Sequence, residues 1–119
     1  MPINLELLKQ RFSIAKLKSL PAGYLHMPFV FVAKTNTELS LVCETESMPG
    51  TTLEREDGWR CMRIVGQLDF GLVGIIAGIS SLLAGAGIPI FVVSTFDTDY
   101  ILLKEELLKN AVQILSEVE

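Results

Sequence analysis

From Phe70 to Phe96 the chain carries no charged side chain, a run longer than the ~20 apolar residues that span a bilayer. Such a run either crosses a membrane or lies inside a folded unit. Gly85-Ala86-Gly87-Ile88-Pro89 interrupts it with the residue types that end helices and open strands. Its flanks are Asp69 and Asp97, with no Lys or Arg anchor close on either side. The run is therefore expected to be a helix followed by a buried strand, with no membrane span. The chain has 119 residues, 50% hydrophobic and 20% charged, and a chain of that size buries roughly two-thirds of its unfolded surface without disulfide or metal staples. Disorder is excluded on the same count.

The reactive side chains are few. One histidine, His26, and two widely separated cysteines, Cys43 and Cys61, leave no zinc cluster, no CxxC motif and no Ser-His-Asp triad beyond what His26 could supply. His26 has no neighbouring second ligand or nucleophile, so catalysis through it is not expected. Both cysteines sit in strand-like patterns and read as buried free thiols. The net charge is −4; no basic stripe is present to neutralise phosphates, which argues against nucleic acid. The N-terminal Met1-Pro2-Ile3-Asn4-Leu5-Glu6 lacks the regions of a signal peptide, and cytoplasm is the expected location.

Laid on itself at an offset of 61, the chain pairs residues 28–44 with residues 89–105. Both segments read as strand, polar turn, strand, with Asn36/Asp97 and Glu38/Asp99 at the bend. A second echo, Phe12–Leu17 against Trp59–Ile64, lies at an offset of 47. The second copy thus holds about four more helical turns of chain between its first strand and its hairpin. The insert is the uncharged helix, with Leu72, Ile75, Ile76, Ile79, Leu82, Leu83 and Ala86 on one apolar face. Gly74, Ala77, Gly78, Ser81 and Gly85 form a small-residue side suited to a subunit or inter-unit contact.

These patterns predict, for the second half, a strand near Trp59–Val65, a helix at Leu72–Ala86, strands at Ile88–Ser94 and Asp99–Lys104, and a helix at Glu105–Val118. The last helix has Leu107, Leu108, Ala111, Val112, Leu115 and Val118 at core spacing. The first half predicts a strand near Arg11–Leu17, a short Leu20–Gly23 connection in place of a helix, and a hairpin at Phe29–Cys43. Glu44–Gly58, with Pro49-Gly50 and Asp57-Gly58, reads as a polar linker. The expected class is an α+β sandwich. Residues 1–50 would form a degenerate unit lacking its first helix, and residues 51–119 a full one.

Two loops of the second half carry the chemistry. Leu68-Asp69-Phe70-Gly71-Leu72-Val73-Gly74 leads from a strand into a helix N-terminus, where free N–H groups suit a carboxylate or phosphate. A helix-capping role is the favoured explanation of Asp69, and the two roles can coexist. Ser94-Thr95-Phe96-Asp97-Thr98-Asp99-Tyr100 gathers hydroxyls, two carboxylates and an aromatic ring in a hairpin connection. Asp97 and Thr98 fit a solvated turn. Asp99 begins a strand, where an acid gains nothing from β propensity, and is the better candidate for meeting a cationic group.

Together with Gly58-Trp59-Arg60-Cys61-Met62-Arg63, these two loops resemble the small bacterial and archaeal ACT-domain proteins related to the ACT units of the CASTOR arginine sensors and, more distantly, of aspartate kinases. The similarity is strong in the second half and weak in the first. The resemblance implies a ferredoxin-like βαββαβ sandwich, here two tandem ACT-like units with the first degenerate, and a small effector such as an amino acid bound at an interface between units. Carried over by position, the ligand-binding residues are Asp69, Phe70, Gly71, Leu72, Val73, Gly74, Thr95, Phe96 and Asp99. Many ACT domains have Pro where Phe70 stands. The arginine sensors contain more ACT units than this chain, so a homodimer is expected.

The favoured reading is a small-molecule sensor or regulatory protein without catalysis, metal or cofactor. Two others stay open: a structural dimerisation module with empty loops, and a carboxylate-metal enzyme using Asp69, Asp97 and Asp99.

Overall fold

The computed structural model describes residues 5–65 and 74–116. In chain order the strands are β1 (Leu5–Leu7), β2 (Phe12–Lys16), β3 (Phe31–Lys34), β4 (Leu39–Glu44), β5 (Glu54–Ile64), β6 (Phe91–Ser94) and β7 (Asp99–Lys104). The helices are α1 (Ile75–Gly85) and α2 (Leu108–Ser116). The chain divides into two compact units, one of residues 10–59, the other of residues 1–9 with 60–119.

In the 60–119 unit the strand order is β1, β5, β7, β6. Helix α1 connects β5 to β6, a four-residue loop connects β6 to β7, and α2 follows β7. This is the ferredoxin-like α+β arrangement, with its fourth strand supplied from the start of the chain. β1 lies antiparallel on β5, with Leu5 opposite Ile64 and Leu7 opposite Met62. The core packs Met62, Ile64, Ile101 and Leu103 from the sheet against Ile79 and Leu83 of α1 and Ala111 of α2. Fully burying a side chain such as Leu83 or Ile79 contributes about 1.5–3 kcal/mol, and both are completely inaccessible.

The 10–59 unit repeats that strand order with residues 54–59 of β5 as its fourth strand: β5, β2, β4, β3. Single 3-10 turns, Tyr24–His26 and Thr45–Ser47, stand where the other unit has α1 and α2. Ala15, Leu17, Leu41, Cys43 and Met48 form its core. Between β2 and β5 the register shifts at Ser13, because Phe12 faces Trp59 while Ile14 faces Glu56. Asp57 and Gly58 thus oppose one residue, a β-bulge, and Gly58 takes a φ of +83° there. The buried Ser13 hydroxyl donates to Asp57 Oδ1 at 2.5 Å and shares a hydrogen bond with the Thr45 hydroxyl at 2.9 Å.

Several expectations are corrected. Glu54–Gly58 is the first half of β5 and not a linker; Asp57-Gly58, a turn dipeptide by composition, makes the bulge. β1 was not expected. The repeat aligns at an offset of 60: β3 and β6, β4 and β7, and the turns Thr45–Ser47 and Glu105–Leu107 all correspond at that spacing. Strands β4 and β7 then share one burial pattern, with Leu41, Val42 and Cys43 matching Ile101, Leu102 and Leu103. At 61 each strand residue would be paired with one on the opposite face of the sheet. β6 starts at Phe91, since Pro89 cannot donate to a ladder. Glu105–Leu107 is a 3-10 turn before α2, and Val112 is half-exposed. In α1, Ile79 and Leu83 are buried, whereas Ala86 and the small-residue side at Ala77, Gly78, Ser81 and Gly85 face outward in the single chain. Cys43 and Cys61 are buried free thiols, as expected.

Candidate functional site

The β6–β7 hairpin positions the second loop. Ser94 and Asp99 form its last cross-strand pair, and the Ser94 hydroxyl donates to the Asp99 carboxylate. Within the loop, the Thr95 amide and hydroxyl both donate to the Thr98 carbonyl, at 2.8 and 2.9 Å, and the Thr98 amide returns a bond to Thr95 Oγ1. The Thr98 side chain turns inward, 8% exposed, and donates to the carbonyl of Ile64 at 2.8 Å. Ile64 ends β5, so this bond holds the hairpin at the strand end from which the first candidate loop departs.

Phe96 sits at the tip of this bonded loop and is fully exposed. Among the described residues, no Lys or Arg pairs with Asp97 or Asp99. The nearby cation, Arg63 on β5, is engaged by Glu6 at 2.6 Å and lies over the Tyr100 ring, 5.9 Å from its centroid. The Glu6 hydrogen bond and contact with Tyr100 raise its pKa above the ordinary arginine value. The hairpin therefore offers carboxylate oxygens, an aromatic face and hydroxyls, a set suited to a cationic nitrogen beside an apolar group.

Of the nine expected site residues, Thr95, Phe96 and Asp99 share this hairpin. Gly74 holds the cap position of α1 with a φ of +94°, in the left-handed region that favours glycine. Its carbonyl accepts the Gly78 amide at 2.8 Å. The helix thus begins at Ile75 with Gly74 as its cap. Asp69, Phe70, Gly71, Leu72 and Val73 lie outside the described residues. Among those described, no hydrogen bond joins Gly74 to the hairpin, and no group of three His, Cys, Asp or Glu converges as a metal site. Two residues with positioning roles were missed as such: Ser94, whose place opposite Asp99 needs the strand register, and Thr98, read as a turn residue. No sequence pattern marks Thr98 as inward-facing.

The cysteines are unsuited to nucleophilic chemistry. Burial pushes the Cys43 thiol up to about 11 and that of Cys61 to about 12, far from the depressed values of reactive thiols. Among the described residues, no helix is long and apolar enough to cross a membrane.

The ACT-domain family model matches residues 54–117. A crystal structure of an Agobacterium tumefaciens protein superposes with a TM-score of 0.88 at 34% identity, covering 97% of this chain and 87% of that one. A Vibrio cholerae protein gives 0.76 at 21% identity, covering 97% and 88%. The ligand-free regulatory subunit of aspartate kinase from Thermus thermophilus gives 0.66 at 11% identity, covering 97% and 95%. The chain belongs to the ACT-domain family, and the similarity to the aspartate kinase subunit is one of fold.

Proposed function

We propose that the chain is a regulatory ACT protein that binds a small effector, an amino acid, without chemistry of its own. Family membership supports a regulatory ligand-binding role in general; the amino acid and the place of its site are our reading. The observation that carries it is the Thr98–Ile64 hydrogen bond. A hydroxyl buried where the loop meets β7 fixes the hairpin against β5, and a fixed hairpin is what a binding loop needs if it is not to lose affinity in becoming ordered. Asp99 would receive the effector's ammonium or a cationic side chain, and Phe96 and Thr95 would line its body. The segment Asp69–Gly74 would bring backbone N–H groups to its carboxylate.

In this reading the protein is a homodimer, and its sites lie at interfaces between ACT units. The fully exposed Phe96 and the outward small-residue side of α1 supply surfaces that a second copy would cover. The 10–59 unit acts as a degenerate ACT-like partner, a role suggested by its matching strand order and hairpin. Calorimetric titration with each of the twenty amino acids tests the proposal. Saturable binding of one or a few, lost in Asp99→Ala, is expected; no heat with any of them overturns it.

A further inference from the structure

We infer that the 10–59 unit carries a second, separate site, for a small carboxylate with an apolar body. Where the 60–119 unit has α1 between its first two strands, this unit has only the turn Tyr24–His26. A cleft of about 540 Å³ opens there, between the connection that follows β2 and the one that leads into β5. That volume is in the ~300–1,000 Å³ range of small-molecule sites.

The wall of the cleft is apolar: the rings of Pro21, Tyr24 and Pro49 and the exposed side chain of Leu53. Its frame is tied, since Tyr24 Oη donates to the Ser47 carbonyl at 2.5 Å and the Leu53 amide to the Lys16 carbonyl at 2.8 Å. Lys18 is the single charged residue of the lining and has no ion pair among the described residues. Ser19, Thr51 and Thr52 add hydroxyls to the lining, and no described residue hydrogen-bonds to those hydroxyls or to the backbone amides of the same three residues. No carboxylate lines the cleft. One ammonium, several uncommitted donors, a ring-lined wall and no acid together select an anion over a cation, and an anion that brings an apolar group over a bare one. A carboxylate on a ring or short branched chain meets both requirements.

Benzoate is the probe, with benzyl alcohol and benzylamine as its neutral and cationic counterparts, each titrated into the isotopically labelled full chain and followed by amide shifts. Benzoate is expected to give saturable shifts confined to residues 18–24 and 49–53, benzyl alcohol weaker ones and benzylamine none. Lys18→Gln should weaken benzoate about three- to fivefold, the reach of an exposed ion pair, and bring it level with benzyl alcohol. Asp99→Ala, which tests the effector site, should leave the benzoate titration unchanged. Benzoate shifts that fail to saturate at tens of millimolar, that fall outside the cleft, or that are the same in Lys18→Gln overturn the inference.

Discussion

The hydroxyl of Thr98 and the carbonyl of Ile64 are 2.8 Å apart and face each other from two different strand ends. The pair does for the hairpin what a longer ladder would otherwise do. Four loop residues, 95–98, are held by three hydrogen bonds among themselves and one to β5, so the tip that presents Phe96 and Asp99 is fixed without further chain.

Thr98→Val keeps the shape of the side chain and removes the donor. Leaving the buried Ile64 carbonyl without that partner should cost about 1–3 kcal/mol, seen as a fall of several degrees in Tm by calorimetry. Effector affinity should fall with it even though no proposed contact residue has changed. An unaltered affinity would mean that the hairpin needs no anchoring.

Asp99 has two separable roles, closing the hairpin with Ser94 and receiving a cation. Asp99→Asn retains an acceptor for the Ser94 hydroxyl and loses the charge, so stability should change by less than about 0.5 kcal/mol. Binding should weaken tenfold or more, about 1.4 kcal/mol or greater. Ser94→Ala should do the reverse, costing stability while keeping most of the affinity. Titration and denaturant melts of both variants separate the roles.

The two cysteines give a pH dependence of defined sign. Burial raises their folded values to about 11 and about 12 from an ordinary value of 9.0. The folded state thus holds protons that the unfolded state releases first. Their contribution is fully present below pH 9 and declines as pH rises through the interval up to 11–12. Denaturant melts between pH 8 and pH 11 should show falling stability, with the fall reduced in a Cys43→Ala, Cys61→Ala double variant. Native thiols should also react with a disulfide reagent at pH 8 only at the rate of unfolding.

Gly58→Ala tests the bulge. With φ at +83° and no heavy atom within 4 Å of the place a Cβ would take, the substitution meets no clash and its cost is that of backbone conformation alone, about 1 kcal/mol. Ser13→Ala should cost at least as much, because it strips a buried partner from both Asp57 and Thr45.

The outward side of α1 gives the assembly test. Sedimentation should show a dimer for the wild-type chain and a monomer for Gly78→Arg, whose Cβ has open space around it in the single chain. A wild-type monomer at micromolar concentration removes the homodimer from the proposal; a dimeric variant moves the interface elsewhere.

The parts of the fold that depend on spacing are readable in the sequence. The i, i+3, i+4 pattern identifies α1 and the buried pair Ile79 and Leu83, and the strand–polar turn–strand pattern gives β7 its bounds, Asp99–Lys104. What escapes depends on pairing between distant segments. Leu5–Leu7 is too short to announce a strand until β5 is beside it. Glu54-Arg55-Glu56-Asp57-Gly58 has the composition of a loop, and only the partner strand β2 makes it a ladder. The repeat is visible but off by one, because chance identities such as Pro28/Pro89, Thr37/Thr98 and Glu44/Glu105 outweigh the two-residue period of the strands. Asp99 stands out as an acid where none is needed, yet its partner Ser94 and the anchor Thr98 follow from register and burial, which a single sequence does not show.

The N-terminal strand has a practical consequence. Residues 5–7 close an edge of the unit that the family match assigns to 54–117, so that unit cannot be completed by the stretch of chain that defines it. A fragment cut at residue 54 would leave the β5 backbone beside Leu5–Leu7 without its partner and open to pairing with another molecule. During synthesis β1 must wait for residues 62–64 to emerge before it finds its place, which makes the 60–119 unit dependent on residues 5–7.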